Sequence, residues 1–222
     1  MKQFSVIIPT MWKYTPFFLF LKQILNHPSV GEVLIVNNSY KDTPTIEDHP
    51  KLRMLNFPEN IKINPAWNYA VAHSTYEHLL ILNDDVIFDL GLLVSVLAFL
   101  EQGKLVMINL PHPDAPYTVT GEARIVKYQP GHRLYHIGCM MFLHRTDWYP
   151  VPSGLDLYYG DTWLWDYMLE KYNENYLLEN AFVDTPTNST CGTFSDRENT
   201  YNRETALYAG ISKFYISQAV GR

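Results

Sequence analysis

Residues 78–85 read His78-Leu79-Leu80-Ile81-Leu82-Asn83-Asp84-Asp85, a short apolar run cut off by an amide and two carboxylates. A continuous apolar run of this length, ended by polar residues, predicts a strand buried on both faces. Such strands belong to parallel α/β sheets, whose ligands bind outside the carboxyl ends of the strands. The three polar residues would then stand at the mouth of a site. Neighbouring carboxylates repel unless a proton or a cation lies between them. Hard ions such as Mg2+ or Mn2+ take a few carboxylate oxygens and complete their shell with phosphate and water. The plainer alternative is a turn whose Asn and Asp cap the following segment.

Working outward, Phe4–Pro9 and Glu32–Asn37 read as first and second strands, and Lys51–Asn56 as a third. Between the first two, Phe17, Phe20, Leu21 and Ile24 recur at helical spacing within Thr15–Asn26. A short polar helix is expected after Thr43. Asn64-Pro65 is a helix start, an N-cap residue with proline at the first helical position, and the helix should run to about His73. Leu90–Gln102 predicts a helix closed by Gly103, and Leu105–Leu110 a fifth strand. Strands alternating with helices in units of about 25–30 residues imply a mostly parallel sheet. After Pro111 the rhythm changes. Two longer β-like segments follow, Val119–Tyr128 and Tyr135–His144, then a helix at Asp161–Lys171 and a polar stretch over 184–204 expected to be irregular. The expected fold is α/β: a Rossmann-like, mostly parallel sheet flanked by helices. One domain spans 1–222, with a nucleotide-binding half over 1–110 and a smaller mixed lobe over 111–222.

Composition removes several classes. Net charge is −6 and charged residues make up 18% of the 222, which argues against a disordered chain and a basic nucleic-acid binder. Cys139 and Cys191 are too few and too far apart for a disulfide scaffold or a Cys-ligated zinc site, and a reducing compartment fits. The largely apolar run Leu90–Leu100 has 11 residues, where a membrane span needs about 20. The apolar run near the start is too short for a secretory signal. A cytoplasmic protein without a membrane span is expected. Aromatic residues crowd the second half: 19 of 32 lie in 112–222.

Several segments in order carry a resemblance. They are Ser5-Val6-Ile7-Ile8-Pro9-Thr10, Val33-Leu34-Ile35-Val36-Asn37-Asn38-Ser39 and Leu80-Ile81-Leu82-Asn83-Asp84-Asp85. Between the last two, Asn60-Ile61-Lys62-Ile63-Asn64-Pro65-Ala66-Trp67-Asn68 is similar to an N-x-G-x-x-x-A-x-N pattern, with Lys62 in place of its glycine. Ile137–Arg145 and Tyr159-Gly160-Asp161 follow. Together they resemble the GT-A nucleotide-sugar glycosyltransferases of the family-2-like, inverting type. Virus-encoded members of this type are similarly short, and such an enzyme would act inside a host cell. Departures are Asn37 and Asn38 where acids are usual, and Asn83 in place of the first acid of a D-x-D pattern. A late His that some members use as a metal ligand is not apparent near Asn188–Phe194.

The resemblance implies a nucleoside-diphosphate-sugar donor, UDP-sugar favoured, a Mn2+ or Mg2+ ion, and a glycan or glycoprotein acceptor of a hexosyl or deoxyhexosyl group. Asp85 would be the principal metal ligand with Asp84 in support. Asp161 would be the general base, although an Asp opening a helix is also an ordinary cap. Thr10, Asn37, Asn38, Lys62 and Asn68, with Asp84, are the candidates for donor contact; turn formation and helix capping are the alternatives for each. Tyr158, Tyr159 and Trp163 are candidates for acceptor contact, since rings stack on sugar faces. Trp163 and Trp165 lie two apart on one helix and cannot share a face, so at least one should enter the core. Two other classes remain open: a non-catalytic carbohydrate- or nucleotide-binding protein keeping the fold, and a nucleotidyltransferase. The latter usually needs a glycine-rich basic loop after the first strand, and Thr10-Met11-Trp12-Lys13 has no glycine.

Overall fold

The computed structural model describes residues 2–219 except 40, 42, 111–118, 120, 132, 133, 135, 136 and 187–195. Its strands are β1 Phe4–Thr10, β2 Val30–Asn37, β3 Leu52–Asn56, β4 His78–Leu82, β5 Ile87–Phe88, β6 Leu105–Ile108, β7 Arg124–Lys127, β8 Met140–His144, β9 Tyr176–Glu179 and β10 Val183–Asp184. Its helices are α1 Phe17–Asn26, α2 Ile63–His73, α3 Gly91–Phe99, α4 Gly160–Tyr172 and α5 Arg197–Ala219.

Eight strands form one sheet in the order β3-β2-β1-β4-β8-β6-β9-β7. β1 lies parallel between β2 and β4, and β3 runs parallel to β2. Thr10, Asn37 and Leu82 therefore end their strands at one edge. β8 is antiparallel to β4, pairing Leu82 with Met140 and His78 with His144. That reversal brings the start of β8 to the carboxyl edge and sends His144-Arg145 to the opposite one. Strands from both halves of the chain thus share the sheet.

Side-chain alternation divides the core into two layers. Phe4, Val6 and Ile8 of β1 face α1 and α3, where Phe17, Phe20, Leu21 and Ile24 meet Leu93 and Val96. Ile7, Leu79 and Ile81 point the other way, onto Ala66 and Trp67 of α2 and Leu164 and Met168 of α4. All residues of β1 and β4 are buried, as strands covered on both faces must be.

Differences from the sequence reading are local. No helix forms over 43–49. Helix α2 begins one residue before Asn64, with Lys62 as N-cap, so Asn64 lies inside its first turn. α3 stops at Phe99, short of Gln102. Only Arg124–Lys127 of the first late β segment, and Met140–His144 of the second, are strand; a 3-10 turn at Ile137–Cys139 precedes the latter. Residues 184–204, expected to be irregular, include the start of α5. This helix docks through Leu207, Tyr208 and Ile211 beside the buried Glu204, and a carboxylate within the packed face hides its periodicity from hydropathy.

Candidate active site

A cleft of about 340 Å³ opens at the carboxyl edge of the sheet. The ends of β1, β2 and β4, the start of α2, the turn before β8 and the start of α4 all reach it. Thr10, Asn38, Lys62, Asp84, Asp85 and Asp161 line its walls. The edge geometry explains the convergence, because parallel strands deliver their last residues to the same rim.

Asp84 and Asp85 are both buried. The Thr10 hydroxyl donates to Asp84 Oδ2 at 2.5 Å and accepts from the Trp12 N–H at 2.9 Å. Burial pushes the Asp84 carboxyl up to about 6, and the Asp85 charge adds to the rise while the Thr10 hydrogen bond opposes it. Beside the pair, Asn83 Oδ1 is buried without a hydrogen-bond partner among the described residues. Two carboxylates and an orphaned amide oxygen make a hard-oxygen donor set, which fits Mg2+ or Mn2+ with phosphate and water completing the shell. Among the described residues, no third His, Cys, Asp or Glu joins them in a cluster able to hold a metal. The segment Asn188–Phe194 lies outside the described residues, as do His112, His132 and His136.

The raised titration point of Asp84 has a stability consequence. The folded protein holds this proton more tightly than the unfolded chain, so the group's stabilising contribution is complete below about pH 4 and is lost as pH rises through about 6. At neutral pH without metal, the buried charge costs about 3 kcal/mol. Asp84→Asn keeps an acceptor for Thr10 and removes that charge. In EDTA the variant is expected to melt higher than wild type near pH 7.5, with the gap narrowing to about a third near pH 4.5. Calorimetric Tm values at the two pH values test this; no gain at the higher pH refutes it.

Lys62 lines the cleft with φ 70° and ψ 176°. A positive φ is the conformation glycine accepts freely, and it costs other residues about 1–3 kcal/mol. The glycine of the N-x-G pattern is thus explained by backbone geometry, which Lys62 retains. Its N–H donates to Asn60 Oδ1 at 2.8 Å.

Asn37 and Asn38 part company. Asn37 is fully buried: its Oδ1 accepts from Trp12 Nε1 at 2.8 Å and its Nδ2 donates to Asn56 Oδ1 at 2.8 Å. It ties three strand ends together and does not line the cleft. Asn38 does, and its Oδ1 accepts from the Ile61 N–H at 3.3 Å. Asn68 is also outside the cleft lining: its amide donates to Val151 O at 2.8 Å and accepts from Val151 N at 2.9 Å, clamping α2 to the chain before α4. Both amides are spent on the fold.

Asp161 occupies the first turn of α4, where its Oδ1 accepts from the Thr162 N–H at 2.8 Å. Burial raises its carboxyl above the usual range, against the lowering effect of the Thr162 backbone hydrogen bond. It lies directly over Gly138, where a Cβ would come within 2.6 Å of Asp161 Oδ2. Gly160 is equally constrained, because a Cβ there would meet Asn64 Oδ1 at 2.2 Å. Asn64 cannot retreat, since its Nδ2 donates to Leu155 O at 3.1 Å and Tyr158 O at 2.9 Å. Cys139 lines the cleft near Asp85 and Asp161, and burial pushes its thiol up to about 12, so it stays neutral.

Tyr158 and Tyr159 line the cleft. Trp163 does not: it is 1% exposed, stacks on Tyr149 at 5.7 Å and donates from Nε1 to Pro150 O. The acceptor role expected for Trp163 is corrected accordingly, for a ring sealed in the core cannot meet a sugar. Trp165 is buried too, edge-on to Tyr128. Sequence reasoning misses Gly138, whose closeness to Asp161 has no local signal, and Asn64, which lies inside the first turn of α2 and not at its cap. It also misses Glu204, which offers no local signal.

A sequence profile described as Glycosyl transferase family 2 matches residues 5–189. Comparison by sequence with curated proteins gives no match. Among solved structures, the chain is similar to S. aureus TarS 1-349, with TM-score 0.62 and 13% identity over 99% of this chain and 75% of that one. It is similar to the same protein in complex with UDP-GlcNAc, with TM-score 0.63 and 14% identity over 93% of this chain and 66% of that one. GalNAc-T7 with UDP, GalNAc and Mn2+ gives TM-score 0.63 and 10% identity, covering 97% of this chain and 50% of that one. The longer TarS chain is spanned to only 41% of its length. These likenesses concern the fold, which is the GT-A arrangement of helices around a large, mostly parallel sheet.

Proposed function

The chain belongs to glycosyl transferase family 2, and from that premise we propose that it moves a hexosyl or deoxyhexosyl group from a UDP-sugar to a hydroxyl of a glycan or glycoprotein, with inversion and with a divalent cation. The supporting observation is that Asp84 and Asp85 from the end of β4 share one cleft with Asp161 from the start of α4. Solved relatives of the fold are described with UDP, UDP-GlcNAc or Mn2+.

Asp85, with Asp84 and the Asn83 amide oxygen, would hold the cation. When bound, such an ion offsets charge developing on the leaving diphosphate. Asn38 and Lys62 line the same wall and are placed for the donor. Asp161, raised by burial towards the working pH, accepts the acceptor hydroxyl's proton as that oxygen attacks the anomeric carbon and the bond to the diphosphate breaks. The walls hold the two reactants in line. Tyr158 and Tyr159 offer rings on the acceptor side. Among the described residues no helix is long and apolar enough to cross a membrane; a cytoplasmic setting is part of the proposal.

The test is a thermal-shift series with UDP-, GDP- and dTDP-sugars, with Mn2+ or EDTA. A UDP-sugar at about 100 times its Kd stabilises by about 2.7 kcal/mol, or about 5–10 °C in Tm for a chain of this size. The shift should need Mn2+. Silence with all three donors would defeat the proposal.

A further inference from the structure

Helix α5 lies beyond the stretch 5–189 that the family profile matches, yet it grips the cleft wall. Glu204 is fully buried. Its carboxylate accepts from the Leu157 N–H at 3.2 Å and the Tyr158 N–H at 2.8 Å, and Arg203 Nη2 approaches it at 3.3 Å. Arg203 also pairs with Asp156 at 3.3 Å. Burying a carboxylate is costly unless charge-assisted partners surround it, and here Arg203 supplies the charge from α5 while both amide donors belong to the turn that lines the cleft.

The same turn is held at other points. The Tyr159 hydroxyl hydrogen-bonds Thr205 Oγ1 at 2.8 Å, and its ring stacks on Tyr208 at 4.9 Å. Tyr201, on the same helix, packs edge-on against Tyr158 at 5.2 Å. Tyr159 sits at φ 62°, a left-handed conformation that a tyrosine keeps only when its surroundings over-determine it. Asn64 restrains the turn from the α2 side. Two residues after Tyr159 comes Asp161.

We infer that Glu204 is a positioning residue: through the Leu157 and Tyr158 amides it sets the acceptor wall of the cleft and the angle at which α4 presents Asp161. The inference rests on the transferase reading for its catalytic consequence, but its structural half does not. Glu204→Gln keeps the volume, yet one carboxylate oxygen becomes an NH2 that faces N–H donors. Amide exchange at Leu157–Tyr159 should accelerate about 10- to 100-fold, the scale of losing a hydrogen bond to a charged acceptor, while β1 and β4 amides keep their protection. UDP-sugar Kd should stay within about twofold, whereas transfer shows a raised acceptor KM and a lowered kcat. If Glu204→Gln does not fold, Thr205→Val loosens Tyr159 alone and should move the same readouts less. Unchanged exchange at Leu157–Tyr159, uniform loss of protection across the sheet, or donor affinity falling as far as transfer would each overturn the inference. Wild type that binds no donor would defeat the transferase reading instead, and the exchange result would still decide whether Glu204 holds the turn.

Discussion

Asp161→Asn is expected to leave UDP-sugar binding within error of wild type and to lower transfer about 10²- to 10⁴-fold, the usual contribution of a positioned general base. The substitution is nearly isosteric. Its amide oxygen can still accept from the Thr162 N–H, so the first turn of α4 keeps that hydrogen bond. The contact with Gly138 keeps its size as well. What disappears is proton affinity. Because burial raises the Asp161 carboxyl, the wild-type rate should climb with pH as this group ionises and then level; the variant's residual rate should lack that limb. Single-turnover transfer across pH, beside calorimetric donor binding, makes the measurement. Near-normal transfer would reduce Asp161 to an acid in the first turn of α4 with no part in proton transfer.

Asp85→Asn is expected to remove cation-dependent donor binding. Substituting groups that merely orient a metal ligand costs about 10- to 100-fold in metal affinity, so loss of a ligand should cost at least that. Mn2+ titration with and without UDP-sugar reads the loss. Equal binding in wild type and Asp85→Asn would show that the cleft takes its donor without this carboxylate.

The two variants also separate the walls of the cleft. Asp161→Asn should bind donor and fail to transfer; Asp85→Asn should fail at binding. A protein that only binds nucleotide sugars would lose nothing by the first change.

Much of this molecule can be read along the chain. Continuous apolar runs at Phe4–Pro9 and His78–Leu82 declare buried strands, and the polar residues that end them must lie at one edge if the strands are parallel. Thr10, Asn38, Asp84 and Asp85 reach the cleft for that reason. The period of side-chain burial and the point where a strand stops are local properties.

Other features depend on which distant atoms fill a side chain's hydrogen-bonding capacity, and the chain itself carries no sign of them. Asn37 and Asn38 are adjacent and chemically identical, yet Trp12 and Asn56 saturate the first while the second faces the cleft. Asn68 matches its motif position but spends its amide on Val151, 83 residues away. Trp163 lies close to Tyr158 and Tyr159 in sequence, and packing around α4 seals it in. Glu204, a charged residue in a largely polar segment, becomes a fully buried carboxylate because a turn 46 residues earlier supplies amide donors and Arg203 beside it a positive charge. Sequence alone thus determined the early buried strands, the edge at which the parallel ones end, and three acids that come to line one cleft. Tertiary structure decided which amides, rings and carboxylates remain available to a ligand, because that depends on contacts between residues far apart in the chain.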